Sequence, residues 1–349
     1  MKELQFILKA STVEQLFGKE RSCLSANPAA ETVFKRYFLE DRSQKSFLPV
    51  EPGAISYIVQ PPLGKFHIAL WLYMVEGADS IEKSPAPDTN RSGQESGLSF
   101  TICRAGGVRH IWTAGGVASG SDSESQTRNI LDVYERFLTS EGLSIERNCM
   151  RTWFFCHDID NNYSGFVKAR WENFAVNGLT IDTHYIASTG ICGTPVAEGA
   201  LVQMDAYAVD GDVPLKYLQA TTHLNPTYEY GVTFERGVKF VCSGNAHCLV
   251  SGTASIDNRG AVLYKGDVKA QTLRMLENIE KLLEDGACGM ADLTMALIYL
   301  RNSSDYGLVA PLFASRFPGL PYVILEAPVC RPEWLIEMEC IAMSAGAAL

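Results

Sequence analysis

Two glutamates near the end of the chain have the types and the spacing that acid–base chemistry needs. Glu337 and Glu339 alternate with apolar residues in the run 335–343, which has the period of a β-strand. Residues two apart on a strand lie on the same face. A carboxyl group on such an apolar strand is desolvated, which raises its pKa toward that of a general acid near neutrality. An ion-paired or solvent-facing glutamate is the alternative interpretation.

Arginines lie near the ends of the same predicted strands. Arg301 ends one strand and Arg331 precedes Glu337 by six residues, while Arg151 and Arg170 lie earlier in the chain. The planar guanidinium group binds carboxylates through paired N–H donors. The arginines are therefore candidates for holding an anionic substrate, although an arginine taken alone more often forms a surface ion pair.

No motif of a metal or nucleotide site accompanies these residues. The sequence has no HExxH, P-loop, nucleophile elbow or dinucleotide fingerprint. Its ten cysteines are scattered singly, without CxxC pairs or zinc-ligand spacing. We therefore predict no metal and no cofactor, and we expect reduced thiols in a cytoplasmic protein.

An internal duplication predicts the elements that position the candidate residues. His110 to Ala118 resembles His247 to Ser255, and each segment is followed by a Gln-Thr pair that opens a stretch of helical period. Later strand-like and helical stretches recur in the same order, with 185–188 matched to 322–325 and, last, 201–209 matched to 335–343. The repeated unit is a β-hairpin, helix, strand, helix and two strands, which predicts a sheet with two helices on one face. Gln203 in the first copy stands where Glu337 stands in the second.

The predicted domains follow from this repeat and from a polar linker. Residues 84–97 are rich in Pro, Gly and Ser and lack apolar periodicity, which is typical of a linker. We predict an N-terminal region at 1–97 that ends in this linker, a first copy at 98–213, and a connector with the second copy at 214–349.

Two family resemblances emerge from these segments. The second copy resembles the Rid (YjgF) family in Ser251 to Asp257, in 266–271 and in the strand Ile336 to Ala342. The chain from residue 98 onward is similar to chorismatases, through Arg151-Thr-Trp153, Ser188 to Ile191 and the ending Cys330-Arg331 with Glu337-Met-Glu339. The resemblance implies an α+β fold of two tandem Rid-like (chorismate mutase-like) units, the first degenerate, after an N-terminal extension. Rid proteins are trimers with ligand clefts between subunits, which implies a homotrimer; the alternative is a monomer whose two copies close a cleft between themselves.

The chorismatase resemblance also implies roles for individual residues. The first Glu of the ending is the catalytic acid in that family and maps to Glu337. Members that form 3-hydroxybenzoate carry Cys and Gly where hydrolysing members carry Ala, and these positions map to Cys330 and Gly252. The family's tyrosine- and arginine-containing binding segment resembles 225–236, which nominates Tyr230 and Arg236 beside Arg170, Arg301 and Arg331. The segment is shortened here and lacks the family's Pro-Arg pair.

These resemblances imply an enzyme that releases pyruvate from chorismate to give a hydroxybenzoate, with 3-hydroxybenzoate favoured. The alternatives are a Rid-type imine or enamine deaminase and a non-catalytic protein that binds a small metabolite. Imine-deaminating Rid proteins carry an arginine where this chain has Val329. A formal net charge of −10 argues against a nucleic-acid partner or an anionic membrane surface. The expected partner is a small carboxylate substrate.

Overall fold

The computed structural model describes residues 1–85, 98–242 and 244–345, apart from the side chain of Tyr230. Three mixed β-sheets with helices packed against them account for most of these residues. None of the described helices is long and apolar enough to cross a membrane. Most of the linker predicted at 84–97 lies outside the described residues.

The first sheet comes almost entirely from the region before the linker. Its elements are strand β1 (Lys2–Ala10), helix α1 (Val13–Ala26), and strands β2 (Ala30–Leu39), β3 (Ala54–Val59) and β4 (Ile68–Glu76). The strand order is β1-β4-β2-β3, and the short strand Thr194–Pro195 extends the edge at β3. Strand β4 is central and almost wholly buried, which is why its sequence is a continuous apolar run and does not alternate.

The second sheet contains the first predicted copy. Its strands are β5 (Ser80–Lys83), β6 (Ser99–Ala105), β7 (Val108–Gly116), β8 (Cys149–Cys156), β9 (Ala187–Cys192) and β11 (Val202–Asp210), while Thr194–Pro195 is β10. The helices are α2 (Ser123–Ser140), α3 (Ile145–Asn148) and α4 (Ile159–Val176). The strand order is β5-β6-β7-β11-β8-β9. Strand β5 therefore joins this sheet although the sequence assigned it to the N-terminal region.

The third sheet contains the second predicted copy and repeats the same order. Its strands are β12 (Leu215–Tyr217), β13 (Gly237–Cys242), β14 (Asn245–Ala254), β15 (Leu293–Leu300), β16 (Tyr322–Glu326) and β17 (Ile336–Ala345). The helices are α5 (Val268–Asp285) and α6 (Tyr306–Arg316). The order β12-β13-β14-β17-β15-β16 matches that of the second sheet strand for strand. The predicted fold of two tandem α+β units is confirmed.

The recurring Gln-Thr pair has a structural cause. The side-chain oxygen of Gln126 accepts a hydrogen bond from the Leu201 backbone N–H at 2.7 Å, and that of Gln271 accepts one from Leu335 at 2.9 Å. Each buried glutamine thus ties the start of a helix to the start of the last strand of its unit. A buried amide must satisfy its hydrogen-bonding groups, which explains why this pair stands out in both copies.

The N-terminal region is a third, reduced copy of the same unit. The order β1-β4-β2-β3, with two antiparallel pairs and one parallel pair, is that of β7-β11-β8-β9 and of β14-β17-β15-β16. It lacks the first strand of the hairpin, and a 3-10 turn at Arg42–Phe47 replaces the second helix. We refer to the three sheets with their helices as the first, second and third units.

Strand register corrects one of the pairings drawn from the sequence. Thr189 is opposite Trp153 in the second unit, and Val323 is opposite Leu297 in the third. Trp153 and Leu297 occupy equivalent positions because they pair with Asp205 and Glu339. The sequence match of 185–188 with 322–325 was wrong by three residues, since two apolar strands can be aligned in several registers when only their hydrophobicity is compared.

The three units pack head to tail in a closed cycle. Strand β3 of the first unit packs against β7 of the second, β9 of the second against β14 of the third, and β16 of the third against β1 of the first. The last contact includes backbone hydrogen bonds from Leu63 to Ile324 and from Glu326 to Pro61. One chain therefore builds a pseudo-threefold arrangement whose clefts lie between units.

Equivalent strands from the three units bring buried polar groups together near the centre of this arrangement. Glu3 on β1 accepts a hydrogen bond from His247 on β14 at 2.7 Å, with side chains only 4% and 3% exposed, and Tyr73 also donates to Glu3. Burial alone would lower the pKa of His247, but hydrogen bonds with Cys242 and Glu3 and the charge of Glu3 raise it to about 10. The first and third units are thus joined by a buried ion pair.

This ion pair predicts a dependence of stability on pH. Because the folded-state pKa of His247 lies above the ordinary value, its contribution is complete below about pH 6.5 and is lost as the pH rises to about 10. In Glu3→Gln, the free energy of unfolding should fall less between pH 8 and 9.5 than in the wild type, by up to about 1.4 kcal/mol per pH unit. Urea denaturation across this range measures the difference. Glu31→Gln, which alters an exposed residue of β2, is the control, and equal pH dependence in Glu3→Gln and wild type would contradict the prediction.

Candidate active site

A cavity of about 140 Å³ opens between the second and third units, where β9 packs against β14. The second unit contributes Tyr163, Arg170, Ser188, Thr189 and Gly190. The third unit contributes apolar residues of 232–256 and six further residues: Arg236, Gly252, Cys330, Arg331, Trp334 and Glu337. Most of the residues singled out from the sequence therefore line one cavity.

Glu337 is the acidic group of this cavity. It lies on β17 between β14 and β15, opposite Ala254 and Tyr299, and the whole residue is 5% exposed. Burial raises its pKa, the charge of Glu339 raises it further, and Arg151 and Arg236 oppose the change, so the pKa is about 8. A carboxyl group with this pKa carries its proton at neutral pH and can donate it to a ligand.

Gly252 leaves the space that the carboxyl group of Glu337 occupies. It lies in a bulge of β14, where the register with β17 shifts between Val250 and Thr253. A methyl group on Gly252 would overlap Glu337 Oε1, and it would lie 2.9 Å from Glu337 Cδ and 3.1 Å from Thr189 Cγ2. The Gly252 N–H donates to Thr189 Oγ1 at 2.9 Å, which fixes the bulge against the second unit.

Cys330 faces the same cavity as a neutral thiol. Burial raises its pKa, the charge of Glu337 adds to the effect, and a hydrogen bond with Tyr163 opposes it, so the pKa is about 12. A thiol is a nucleophile and a metal ligand only as the thiolate. Cys330 therefore contributes shape and a weak S–H donor to the cavity at neutral pH.

Three arginines give the cavity its positive charge. Arg170 is 2% exposed, donates to Ser188 Oγ at 3.3 Å and stacks over the ring of Phe166. Arg236 is anchored through two hydrogen bonds to the Asn225 carbonyl, and Arg331 lies over Trp334 at 4.7 Å. These stacking contacts and carbonyl bonds hold the guanidinium groups in place, and the charges favour an anionic ligand.

Comparisons with known proteins agree with this architecture. Residues 235–344 match the family model described as "Endoribonuclease L-PSP". A solved structure titled "Crystal structure of Chorismatase at 1.08 Angstrom resolution" is similar over 98% of this chain and 98% of its own, with 15% sequence identity and a TM-score of 0.68. The chain has the chorismatase fold. An Entamoeba histolytica structure titled as a putative endoribonuclease L-PSP covers 38% of this chain and 100% of its own, at 18% identity and a TM-score of 0.32.

One of the predicted binding residues, Arg301, lies outside the cavity, and the side chain of another, Tyr230, is not described. Arg301, at the end of β15, is not among the residues that line the cavity. Its guanidinium group donates to the carbonyls of Val329 and Arg331 and lies 3.4 Å from the carboxylate of Asp160. It therefore braces the loop that carries Cys330 against helix α4. The side chain of Tyr230 lies outside the described residues, so its predicted role remains a prediction.

Sequence reasoning missed several residues of the cavity. Tyr163 and Trp334 were not predicted, and Ser188 and Thr189 were noted only within the family resemblance. The second-unit residues approach the site because β9 packs across β14, and no local pattern in the sequence indicates that contact. A signal was available at Thr189, since it is a polar residue at a buried position of strand β9. The described residues contain no cluster of three or more His, Cys, Asp or Glu that could hold a metal.

The close contact at Gly252 predicts the effect of adding one methyl group. Gly252→Ala should displace the Glu337 side chain and lower the free energy of unfolding by about 1–3 kcal/mol, as overpacking of a filled site does. Chemical denaturation measures this loss. Gly18→Ala is the matched control, because a methyl group there meets no atom within 4 Å and alanine is favoured inside a helix. Equal stability of Gly252→Ala and wild type would show that the bulge has spare room.

Proposed function

We propose that this protein releases pyruvate from chorismate and forms a hydroxybenzoate, with 3-hydroxybenzoate favoured. One observation carries the proposal. A buried carboxyl group with a pKa of about 8, Glu337, lines the same cavity as three arginines that are themselves held by stacking and hydrogen bonds. A proton donor beside a cationic cavity suits a dianionic substrate that must be protonated on carbon.

The charges of the cavity match those of the proposed substrate. Chorismate has one carboxylate on its ring and one on its enolpyruvyl group. Arg170 approaches from the second unit, while Arg236 and Arg331 approach from the third. Arginine binds carboxylates through two parallel N–H donors, so guanidinium groups from both sides of the cleft support binding of two separated carboxylates. Binding of the dianion also offsets the repulsion among the cations.

The proposed reaction starts with proton transfer from Glu337 to the terminal methylene carbon of the enolpyruvyl group. The methylene becomes a methyl group, and the positive charge is shared between the adjacent carbon and the ether oxygen. Cleavage of the bond between the ring carbon and this oxygen then releases pyruvate. To give 3-hydroxybenzoate, the hydroxyl oxygen on the neighbouring ring carbon C4 bonds to C3 as pyruvate leaves, and its proton passes to the carboxylate of Glu337. The C4–O bond of this epoxide then breaks, C3 loses its hydrogen as a proton, and the oxygen left on C3 takes up a proton as the ring becomes aromatic. Chorismate and the two products balance without added water or oxidant.

Two residues that line the cavity with Glu337, namely Gly252 and Cys330, support 3-hydroxybenzoate as the product. Gly252 and Cys330 stand where the hydroxybenzoate-forming branch of the family is expected to carry Gly and Cys. In this chain Glu337 occupies the space that a methyl group at 252 would fill. Cys330, a half-buried neutral thiol, lines the same cavity as the acid and has a hydrogen bond with Tyr163. We propose that these side chains exclude water from the cation and favour aromatisation over hydrolysis.

Glu337→Gln tests the role of the acid. Pyruvate release from chorismate should fall by at least about 10²-fold, the contribution of a positioned general acid. Because the raised pKa of Glu337 makes its contribution to stability decline as pH rises from about 4.5 to about 8, the variant should be more stable than wild type at pH 7, by about 3 kcal/mol at most. Coupled pyruvate assays and urea denaturation measure both effects.

The pH dependence of pyruvate release also tests the role of Glu337. Wild-type turnover should be highest below pH 8 and should fall as the pH rises through about 8, because Glu337 then loses its proton. Glu333→Gln, which changes an exposed residue paired with Lys265, should retain the wild-type rate. Full pyruvate release by folded Glu337→Gln would overturn the proposed mechanism.

Cys330→Ala tests the control of the product. Pyruvate release should continue, since Glu337 remains, while the share of hydroxybenzoate among the ring products should fall and that of the hydrolysis product should rise. Chromatography of the ring products after complete conversion of chorismate measures this ratio. An unchanged product ratio would remove Cys330 from the proposal.

A parallel incubation with 2-iminobutyrate tests the alternative function, imine deamination. The chain carries the buried, uncharged Val329 where imine-deaminating Rid proteins carry an arginine.

A further inference from the structure

The acid next to Glu337 belongs to a buried network that spans two units. Glu339 accepts hydrogen bonds from Trp153 Nε1 at 3.1 Å and from Tyr299 at 2.8 Å, and it forms an ion pair with Arg151. Thr189 also donates to Glu339 and accepts from Arg151. The Arg151 and Glu339 side chains are 2% and 4% exposed. Both oxygens of the carboxylate thus accept hydrogen bonds, and Arg151 provides the cation of the ion pair.

An equivalent pair lies at the preceding interface. Arg36 of the first unit donates to Asp205 of the second at 2.9 Å, both side chains are fully buried, and the Gly115 N–H also donates to Asp205 at 2.8 Å. Strand register makes Asp205 the counterpart of Glu339. Gln203 lies two residues before Asp205 on β11, and its side-chain amide donates a hydrogen bond to Ser56 Oγ at 2.9 Å.

The two interfaces therefore differ in the group that lies beside a shared buried ion pair. At one interface that group is Gln203, which carries no charge at any pH. At the other it is Glu337, on the same face of the strand as Glu339 because the two are two residues apart. An anion fixed beneath Glu337 disfavours a second negative charge there.

We propose that the Arg151–Glu339 pair is a positioning device that keeps Glu337 in its proton-carrying form. This inference rests on the proposed function of Glu337 as the proton donor. The other charged or titratable groups that face Glu337 are Arg236 from the segment before β13, Cys330 and Arg331 from the loop before β17, and Arg170 and Tyr163 from helix α4. The cations among them favour the charged form of Glu337, so the anion of Glu339 opposes them.

Glu339→Gln tests the proposal against Asp205→Asn. Both changes take the charge from a buried acid of an equivalent ion pair, but only the first alters a neighbour of Glu337. In Glu339→Gln the pH midpoint for loss of the Glu337 proton should fall by about one pH unit or more. In Asp205→Asn it should stay at the wild-type value.

Two readouts separate this inference from the proposed function. The first is the pH profile of pyruvate release from chorismate. The second is an infrared titration of the protonated carboxyl band that disappears in Glu337→Gln, which needs no turnover. A lowered infrared midpoint without pyruvate release in any variant would support the inference and overturn the proposed function. Pyruvate release with an unshifted midpoint in Glu339→Gln would overturn the inference and leave the function standing.

A second variant guards against misfolding of Glu339→Gln, which leaves Arg151 buried without its anion. The double change Arg151→Met with Glu339→Gln removes both charges and keeps a side-chain oxygen for Trp153 and Tyr299. Because the effect of Glu339 on Glu337 exceeds that of Arg151, the midpoint should still fall, by less than in the single variant. A midpoint equal to or above that of the wild type in this double variant, or an equal fall in Asp205→Asn, would overturn the proposal.

Discussion

Two buried ion pairs fasten the second unit to its neighbours, and the position of every other site residue depends on them. Arg36 reaches from the first unit to Asp205, and Arg151 reaches from the second unit to Glu339. Burying two charges costs free energy unless their geometry and additional hydrogen bonds compensate. The Arg151–Glu339 pair has those hydrogen bonds, while the guanidinium group of Arg36 lies over the rings of Trp71 and Trp153. At the third interface, strand register places the apolar residue Met295 where Arg151 stands, and the buried ion pair there, between Glu3 and His247, lies at different strand positions.

The repeated architecture shows how the interface at Gln203 differs from the interface at Glu337. The surroundings of Gln203 and of Glu337 have the same strand order and a bulge in the neighbouring strand. Each also has a buried arginine–carboxylate ion pair. An amide beside Asp205 is satisfied by a hydroxyl group and stays neutral. A carboxyl group in the same place faces a cavity, and burial together with a nearby anion raises its pKa. A single change of side-chain chemistry therefore distinguishes a structural interface from a candidate active site.

The candidate site combines groups that oppose stability. A neutral acid is kept from water while three guanidinium groups lie around the same cavity. A fold that only had to be stable would gain from replacing them, which is the usual conflict between stability and activity. Stacking of Arg170 on Phe166 and of Arg331 on Trp334 reduces the cost of holding these cations. The guanidinium groups are thus held in place before any ligand binds.

The sequence by itself determined the two tandem units, the strand that carries Glu337, and most of the polar residues of the cavity, because apolar periodicity and a recurring Gln-Thr pair are local properties. It did not determine that the N-terminal region is a third unit, since that copy has lost a strand and a helix and shares only topology with the others. Nor did it show that Arg301 braces a loop against helix α4, or that Thr189 and Tyr163 line the cavity of Glu337. Those contacts join different units, and only tertiary packing brings residues so distant in sequence within hydrogen-bonding distance.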